Sequence, residues 1–308
     1  MSIEWLIPIF LTIVTAATPL LFAAVGEVVV EKAGVLNLGI EGMMVMGAIT
    51  AFAVAVSTDS SVLAILAGAF AGLLMSLIFG VLTIYFQSNQ VATGLALTIF
   101  GLGLSALIGH AYVGKTFRGL PKLNLEGLSS IPIIGPLFFN YDSLVYLSIL
   151  SVIFVTWFLN KTRTGMLVRA VGENHDAAHS IGYSVTRIRL GAILFGGTMA
   201  GIGGTYLSVV YTPLWVENMT AGRGWIALAL VVFASWKPWR TFFGAYLFGG
   251  ITIFQLYAQG MGVELSAQIL SMLPYLATVI VLVLISRDKE KSKLNAPACL
   301  GRNFHASG

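Results

Sequence analysis

Residues 62–86 read VLAILAGAFAGLLMSLIFGVLTIYF, twenty-five consecutive positions without a charged side chain. A helix of roughly 20 apolar residues crosses the roughly 30 Å of bilayer hydrocarbon, so this run predicts a membrane span. Comparable runs lie near 5–25, 38–56, 91–111, 143–159, 188–211, 224–236, 242–259 and 267–286. The run at 224–236 is short, but Trp225, Trp236 and Trp239 flank it as an interfacial belt would. Ten-residue segments of alternating polarity, the mark of a membrane β-barrel, are absent. The expected fold is therefore all-α: a polytopic membrane protein with nine helices and a candidate tenth.

Composition agrees with the spans. Of 308 residues, 57% are hydrophobic and 10% charged, against about 25% charged in soluble domains. This excludes a soluble enzyme and a disordered chain. The single cysteine, Cys299, excludes a disulfide scaffold. The 34 glycines suit close helix–helix approach in lipid. The opening Met1-Ser2-Ile3-Glu4 lacks the positive region of a secretory signal, so the first run is read as a retained span.

Residues 20–37, LLFAAVGEVVVEKAGVLN, fit two readings. They form a cytoplasmic surface helix, or a broken helix lining a cavity, where irregular backbone is tolerated at membrane depth. The two readings put the N-terminus on opposite sides. The C-terminal half orients more plainly by the positive-inside rule. Lys161, Arg163, Arg169, Arg187, Arg189, Lys237, Arg240, Arg287, Lys289, Lys291, Lys293 and Arg302 fall on one side, against Lys115, Arg118, Lys122 and Arg223 on the other. The segment 161–189 and the C-terminus are thus expected in the cytoplasm. The net charge of +4 follows from this topology and calls for no nucleic-acid partner. The expected organisation is one membrane domain over 1–286 and a cytoplasmic tail over 287–308, of which 294–308 is read as a frayed end.

The segment Asn160–Arg189, NKTRTGMLVRAVGENHDAAHSIGYSVTRIR, is too polar for the bilayer. Within it Asn174 can cap a helix carrying Asp176 in its first turn, Ala177 and Ala178 propagate it, and Gly182 stops it. A helix of about seven residues is not stable alone in water, so it is expected to dock on a partner protein; a solvated linker is the plain alternative. His175 and His179 stand four apart, a spacing that can bind metal, but lack further ligands and are read as surface residues.

The spacing of this segment resembles the E-A-A-x-x-x-G loop of ATP-binding-cassette importer permeases. The longer string Ala170–Tyr183 resembles the branch that serves simple sugars and nucleosides. Three further strings are similar to that branch: EKAGVLNLGIEGMMVMGA (31–48), NQVATGLAL (89–97) and GRGWIALALVVFASWKPW (222–239). The chain departs from the pattern by opening the motif with Asp176 in place of Glu, while Glu173 lies outside the spacing. The resemblance implies a non-enzymatic permease subunit in a bacterial inner membrane. It implies ATPase subunits docked on Glu173, Asn174, Asp176, Ala177, Ala178 and Gly182. It further implies an extracytoplasmic solute-binding protein, and a second permease that is either a related paralogue or another copy. Consistently, the chain has no G-x-x-x-x-G-K-[ST] loop to hold ATP, and no H-E-x-x-H or G-x-S-x-G motif. No catalytic residue, cofactor or metal is expected.

Polar residues within the spans are the candidate substrate path: Asn37 and Glu41, Asn89, Gln90 and Thr93, and Gln255, which repeats the four-residue spacing with Gln259. Amides and nearby aromatic rings suit a neutral, polar, ring-shaped solute such as a nucleoside, and the resemblance adds a simple sugar. The same amides serve equally as ties between helices. A branched-chain amino acid is the alternative solute, and a carrier driven by an ion gradient the alternative mechanism. The Gly- and Pro-containing loop 112–142 is expected to face the binding protein. Gly68-Ala69-Phe70 and Gly244-Ala245-Tyr246 hint at repeated halves.

Overall fold

A computed structural model describes residues 6–123, 134–260 and 295–305, with scattered helical positions between 269 and 283. The helices in chain order are α1 (Leu6–Lys32), α2 (Ile40–Thr58), α3 (Ser61–Gly80), α4 (Gln90–Gly109), α5 (Ile134–Phe139), α6 (Ser143–Lys161), α7 (Arg163–Glu173), α8 (His175–Ser180), α9 (Val185–Tyr206), α10 (Arg223–Phe233) and α11 (Pro238–Gly260). Among the described residues, seven helices are long and apolar enough to cross a membrane: α1, α2, α3, α4, α6, α9 and α11. The run expected at 224–236 is the short helix α10. The run at 267–286 lies for the most part outside the described residues.

Polar caps set where several spans begin. The side chains of Ser60, Asn89 and Asp142 accept backbone N–H groups at the starts of α3, α4 and α6, satisfying donors that have no partner inside the helix. Helices α1, α2, α3 and α9 pack on one another as the interior. The most apolar windows of α1, α2 and α9 are 67%, 72% and 72% buried, against 28% for α4. Glycine makes this closeness possible. A Cβ built on Gly47 of α2 would stand 2.5 Å from the carbonyl oxygen of Gly201 in α9, so these backbones touch directly, as small residues permit between membrane helices. Helix α4 lies against α2, while α6, α10 and α11 lie against α1. Gly68 packs into this interior, whereas Gly244 meets Phe233 of α10, so the two similar tripeptides occupy different surroundings.

The ambiguity over residues 20–37 is resolved by a continuous α1. It runs unbroken through Glu27 and Glu31 to Lys32, so 20–32 is neither a surface helix nor a break. Both acids are fully buried, and the Trp236 indole N–H donates to Glu31. The chain unwinds only after Lys32. Gly34, at φ +83°, closes the helix as its N–H bonds Glu31 O (2.8 Å) and that of Val35 bonds Val30 O (3.3 Å). Residues 33–39 then run beside α4: the Leu36 N–H donates to Gln90 Oε1 (2.8 Å) and the Thr98 hydroxyl donates to Leu38 O (3.1 Å). From Gln90 to Thr98 is about 12 Å of helix axis, so α2 starts about two turns inward of α4. This irregular backbone is mostly buried in protein, the condition under which it survives at depth.

The tail corrects an expectation. Residues 295–305 are not frayed: Cys299 and Phe304 are buried. The Cys299 N–H donates to Gly172 O (2.8 Å) and that of Gly301 to Gly34 O (3.1 Å). At the opposite end, Thr116 pairs with Leu214, which ties part of the 112–142 loop to the segment after α9, and Lys122 pairs with Asp142 at the start of α6. Residues 124–133 of that loop lie outside the described residues.

Candidate functional site

Two regions carry chemistry. The first surrounds the start of α10. After α9 ends in a π-helical turn at Leu207–Tyr211, the chain turns back inward through Asn218, Ala221 and Gly222, all at positive φ. Helix α10 starts there without a side-chain cap of its own. Glu41, in the first turn of α2, supplies one from 180 residues away. Its carboxylate accepts the Thr220 hydroxyl (2.5 Å) and the N–H groups of Gly222 (2.8 Å) and Gly224 (2.6 Å). The positive end of the α10 dipole is therefore already occupied by an acidic side chain that accepts its free N–H groups. Gly224 is required by proximity, since a Cβ there would stand 2.6 Å from Glu41 Cα. A cavity of about 640 Å³ opens beside this junction, lined by Glu41, Leu102, Asn218, Trp225 and Ile226 among others. Small-molecule sites usually measure about 300–1,000 Å³.

Of the six residues proposed for the path, Glu41 lines this cavity and the other five do not. Asn37 accepts the Gly39 N–H (3.0 Å) and shapes the unwound segment. Asn89 caps α4 through the Ala92 N–H (3.0 Å), and Thr93 shares a hydroxyl contact with Ser88 (2.8 Å). Gln90 ties Leu36 to Asn303, donating to its Oδ1 at 3.2 Å. Gln255 is half-buried on α11. Leu102 and Asn218 line the cavity without having stood out in the sequence, and Trp225, read there as an interfacial residue, lines it too. The available signal was Gly222 and Gly224 bracketing the start of an unusually short apolar run, a pattern that marks half-helices in transporters.

The second region is the polar pair α7 and α8. Thr162 caps α7 through the Gly165 N–H (3.0 Å). Asn174 caps α8 through the Ala177 N–H (2.9 Å). The C-terminal end is closed as expected: Gly182, at φ +93°, donates to His179 O (2.8 Å) and Tyr183 donates to Ala178 O (3.1 Å). The helix has six residues. Glu173, Asn174, Asp176, Ala177 and Gly182 are exposed on its outer side, while Ala178 faces inward.

The two histidines are not both surface residues, as had been expected. His175 is buried at 7% exposure, because the tail covers it. The Phe304 ring lies edge-on to His175 and His179, with centroids at 5.4 and 5.2 Å. Arg189 Nη2 lies 3.1 Å from His175 Nδ1. Arginine only donates, so Nδ1 accepts and the ring is neutral. Burial, followed by the nearby Arg189 charge, pushes the His175 imidazole below its ordinary value. Among the described residues, no cluster of His, Cys, Asp or Glu could hold a metal ion.

Comparison with known proteins places this arrangement. The chain is 37% identical to the provisionally assigned glucose ABC transporter permease TsgC13 of Haloferax volcanii, over 95% of each chain. It is 31% identical to the nucleoside ABC transporter permease NupC of Lactococcus lactis, over 94% of this chain and 93% of the other. It is 32% identical to the guanosine ABC transporter permease NupQ of Bacillus subtilis, over 86% and 88%. A second permease of the first two organisms also matches at lower identity: TsgB13 at 28% over 62% and 54%, and NupB at 24% over 79% and 70%. No solved structure matches the chain. Residues 9–285 match the family described as the permease component of the branched-chain amino acid transport system, and the chain belongs to that family of multi-pass membrane permeases.

Proposed function

We propose that this permease forms half of a translocation path for a nucleoside or simple sugar in an ATP-binding-cassette importer. The observation that carries the solute class is the Glu41 cap on α10. An amino acid would bring a carboxylate that seeks a helix N-terminus or a cation. Here the half-helix N-terminus beside the cavity is filled by the protein's own carboxylate. A neutral solute rich in hydroxyls and amides meets no such conflict. The names of the three relatives, for glucose and nucleosides, support the same class.

ATPase subunits dock on α7 and α8, with Ala177 and Asp176 toward the partner, on the cytoplasmic side. The second permease is a related paralogue, by analogy with the paired permeases of the two relatives' organisms. An external binding protein delivers the solute at the end carrying the 112–142 loop. A gradient-driven carrier would use buried carboxylates, and Glu27, Glu31 and Glu41 are buried. Glu41 is engaged by three donors and Glu31 by Trp236, while the Glu27 carboxyl has no hydrogen-bond partner among the described residues. The importer reading is favoured because the matched relatives are named as ABC permeases.

The test is ATPase activity of the assembly with its co-purifying ATPase and partner permease, using binding protein loaded with a nucleoside, a hexose or leucine. Nucleoside or hexose is expected to stimulate hydrolysis about tenfold over leucine. Changing the exposed Ala177 to Arg is expected to remove the stimulation. Stimulation by leucine alone would overturn the solute class. Uptake that persists with a phosphate-loop-dead ATPase and stops with a protonophore would overturn the importer.

A further inference from the structure

Helix α8 is too short to hold its own shape, and what holds it is the segment 295–305. Phe304, 9% exposed, lies against both histidines of α8 from inside, within the satellite core of Val171, Ala178 and Val185. Arg189, 3% exposed, binds three parts of the chain at once. Its guanidinium donates to Ala33 O (3.1 Å) at the end of α1, to Arg302 O (2.8 Å) in the tail and to His175 Nδ1 (3.1 Å) in α8. The tail is anchored at further points. Lys32 Nζ donates to Asn295 O (2.8 Å), Asn303 Nδ2 to Gln87 O (2.7 Å), and Gln87 Nε2 to Phe304 O (3.2 Å). The contacts at Gly172 and Gly34 fix its middle.

The anchors therefore join the end of α1, the turn before α4 and the α7–α8 pair. Lys32 leads directly into the unwound segment 33–39, which ends at Glu41 and the cavity. We propose that residues 295–305 are a strap that seats the ATPase-docking helix and links it to the 33–39 segment, with Phe304 and Arg189 as positioning residues. The strap also widens the docking surface, because Arg302 and His305 are exposed on either side of Phe304, whose ring lies against His175 and His179 of α8. An ATPase surface of mixed charge fits such a patch. The proposal rests on α8 being the docking helix.

The test uses the assembled transporter in membranes, with Ala177→Cys as a cross-linking handle on the exposed side of α8; Cys299 is buried. With the tail intact, cross-linking to the ATPase is expected. Phe304→Ala is expected to reduce it at least fivefold and to lower the ratio of solute-stimulated to basal hydrolysis by a similar factor. Phe304→Tyr, which keeps the ring, is expected to restore both. If Phe304→Ala does not accumulate, Asn303→Ala loosens the same strap at a half-buried position and is expected to reduce cross-linking two- to threefold. Unchanged cross-linking and stimulation in the Phe304→Ala or Asn303→Ala protein would overturn the strap. No cross-linking even with the intact tail would instead overturn the docking role of α8, and the strap with it.

Discussion

Glu41 shows how much one buried side chain can organise. Its two oxygens take a hydroxyl and two backbone N–H groups, at 2% exposure. Hydrogen bonds to a charged group contribute about 1.5–3 kcal/mol, and a buried donor left unpaired costs about 1–3 kcal/mol. Glu41→Ala removes the shared acceptor and leaves three donors without it, so the start of α10 should lose its position. Uptake is expected to fall at least tenfold, which corresponds to about 1.4 kcal/mol. Glu41→Gln keeps one acceptor oxygen but puts an amide donor in place of the other, facing donors, so an intermediate loss is expected. Uptake in vesicles, normalised to membrane-inserted protein, is the measurement. Equal uptake by the Ala and native proteins would mean that α10 is held elsewhere. Glu41 stood out in the sequence as an acid in an apolar run. Its partners did not, because they lie about 180 residues away and two of them are backbone groups.

At the scale of elements, local rules were legible and long-range ones were not. Helix α8 could be bounded from Asn174 and Gly182, because capping depends on residues within one turn. The unwound segment 33–39 could not be placed, because AGVLNLG is as apolar as its flanks. It is held open by Gln90 and Thr98, which belong to another helix. The tail was misread for the same reason: its stability comes from Arg189, Gln87 and Lys32, not from its own composition. The buried histidine beneath it gives α8 a pH dependence. Burial, and then the charges of Arg189, Arg302 and His305, oppose a proton on His175, while Asp176 favours one (Nε2–Oδ1 3.6 Å). The docked imidazole thus titrates below the ordinary value of about 6.5. The undocked ring binds protons more readily, so stability of the seat rises with pH through this window. It is full above about pH 6.5 and is lost as pH falls toward the depressed value. Solute-stimulated hydrolysis is expected to drop more steeply between about pH 7 and pH 5.5 than basal hydrolysis does. His175→Asn, which retains an acceptor but no titratable proton, should flatten that difference. A parallel fall in both activities, unchanged in the variant, would exclude His175 as its source.

For the whole molecule, the continuity of α1 decides the topology that charge counting left open at the N-terminal end. The twelve-to-four excess of basic residues is the ground on which the C-terminal half is expected to face the cytoplasm, but it says nothing about a segment that charge counting leaves unassigned. In the structure α1 is one helix of 27 residues, about 40 Å long. Its final residue, Lys32, reaches Asn295 of the tail at 2.8 Å, and Gly172 of α7 lies against Gly34. Helix α1 thus ends on the side that carries α7, α8 and the tail, and it begins on the other. The α2–α3 turn around Asp59 must share that other side, since α2 leads away from Glu41 and α3 returns. An epitope tag before α1 is therefore expected to be reached by antibody in intact spheroplasts. A membrane-impermeant thiol reagent is expected to label Ser57→Cys from outside, and Ser180→Cys only after permeabilisation. Ser57 and Ser180 are both exposed, so neither result is limited by burial. Labelling of Ser57→Cys and Ser180→Cys from the same side would break the link between α1, the unwound segment and the docking helix. In that case the proposed solute cavity and the proposed ATPase platform could not communicate along the path traced through Lys32 to Glu41.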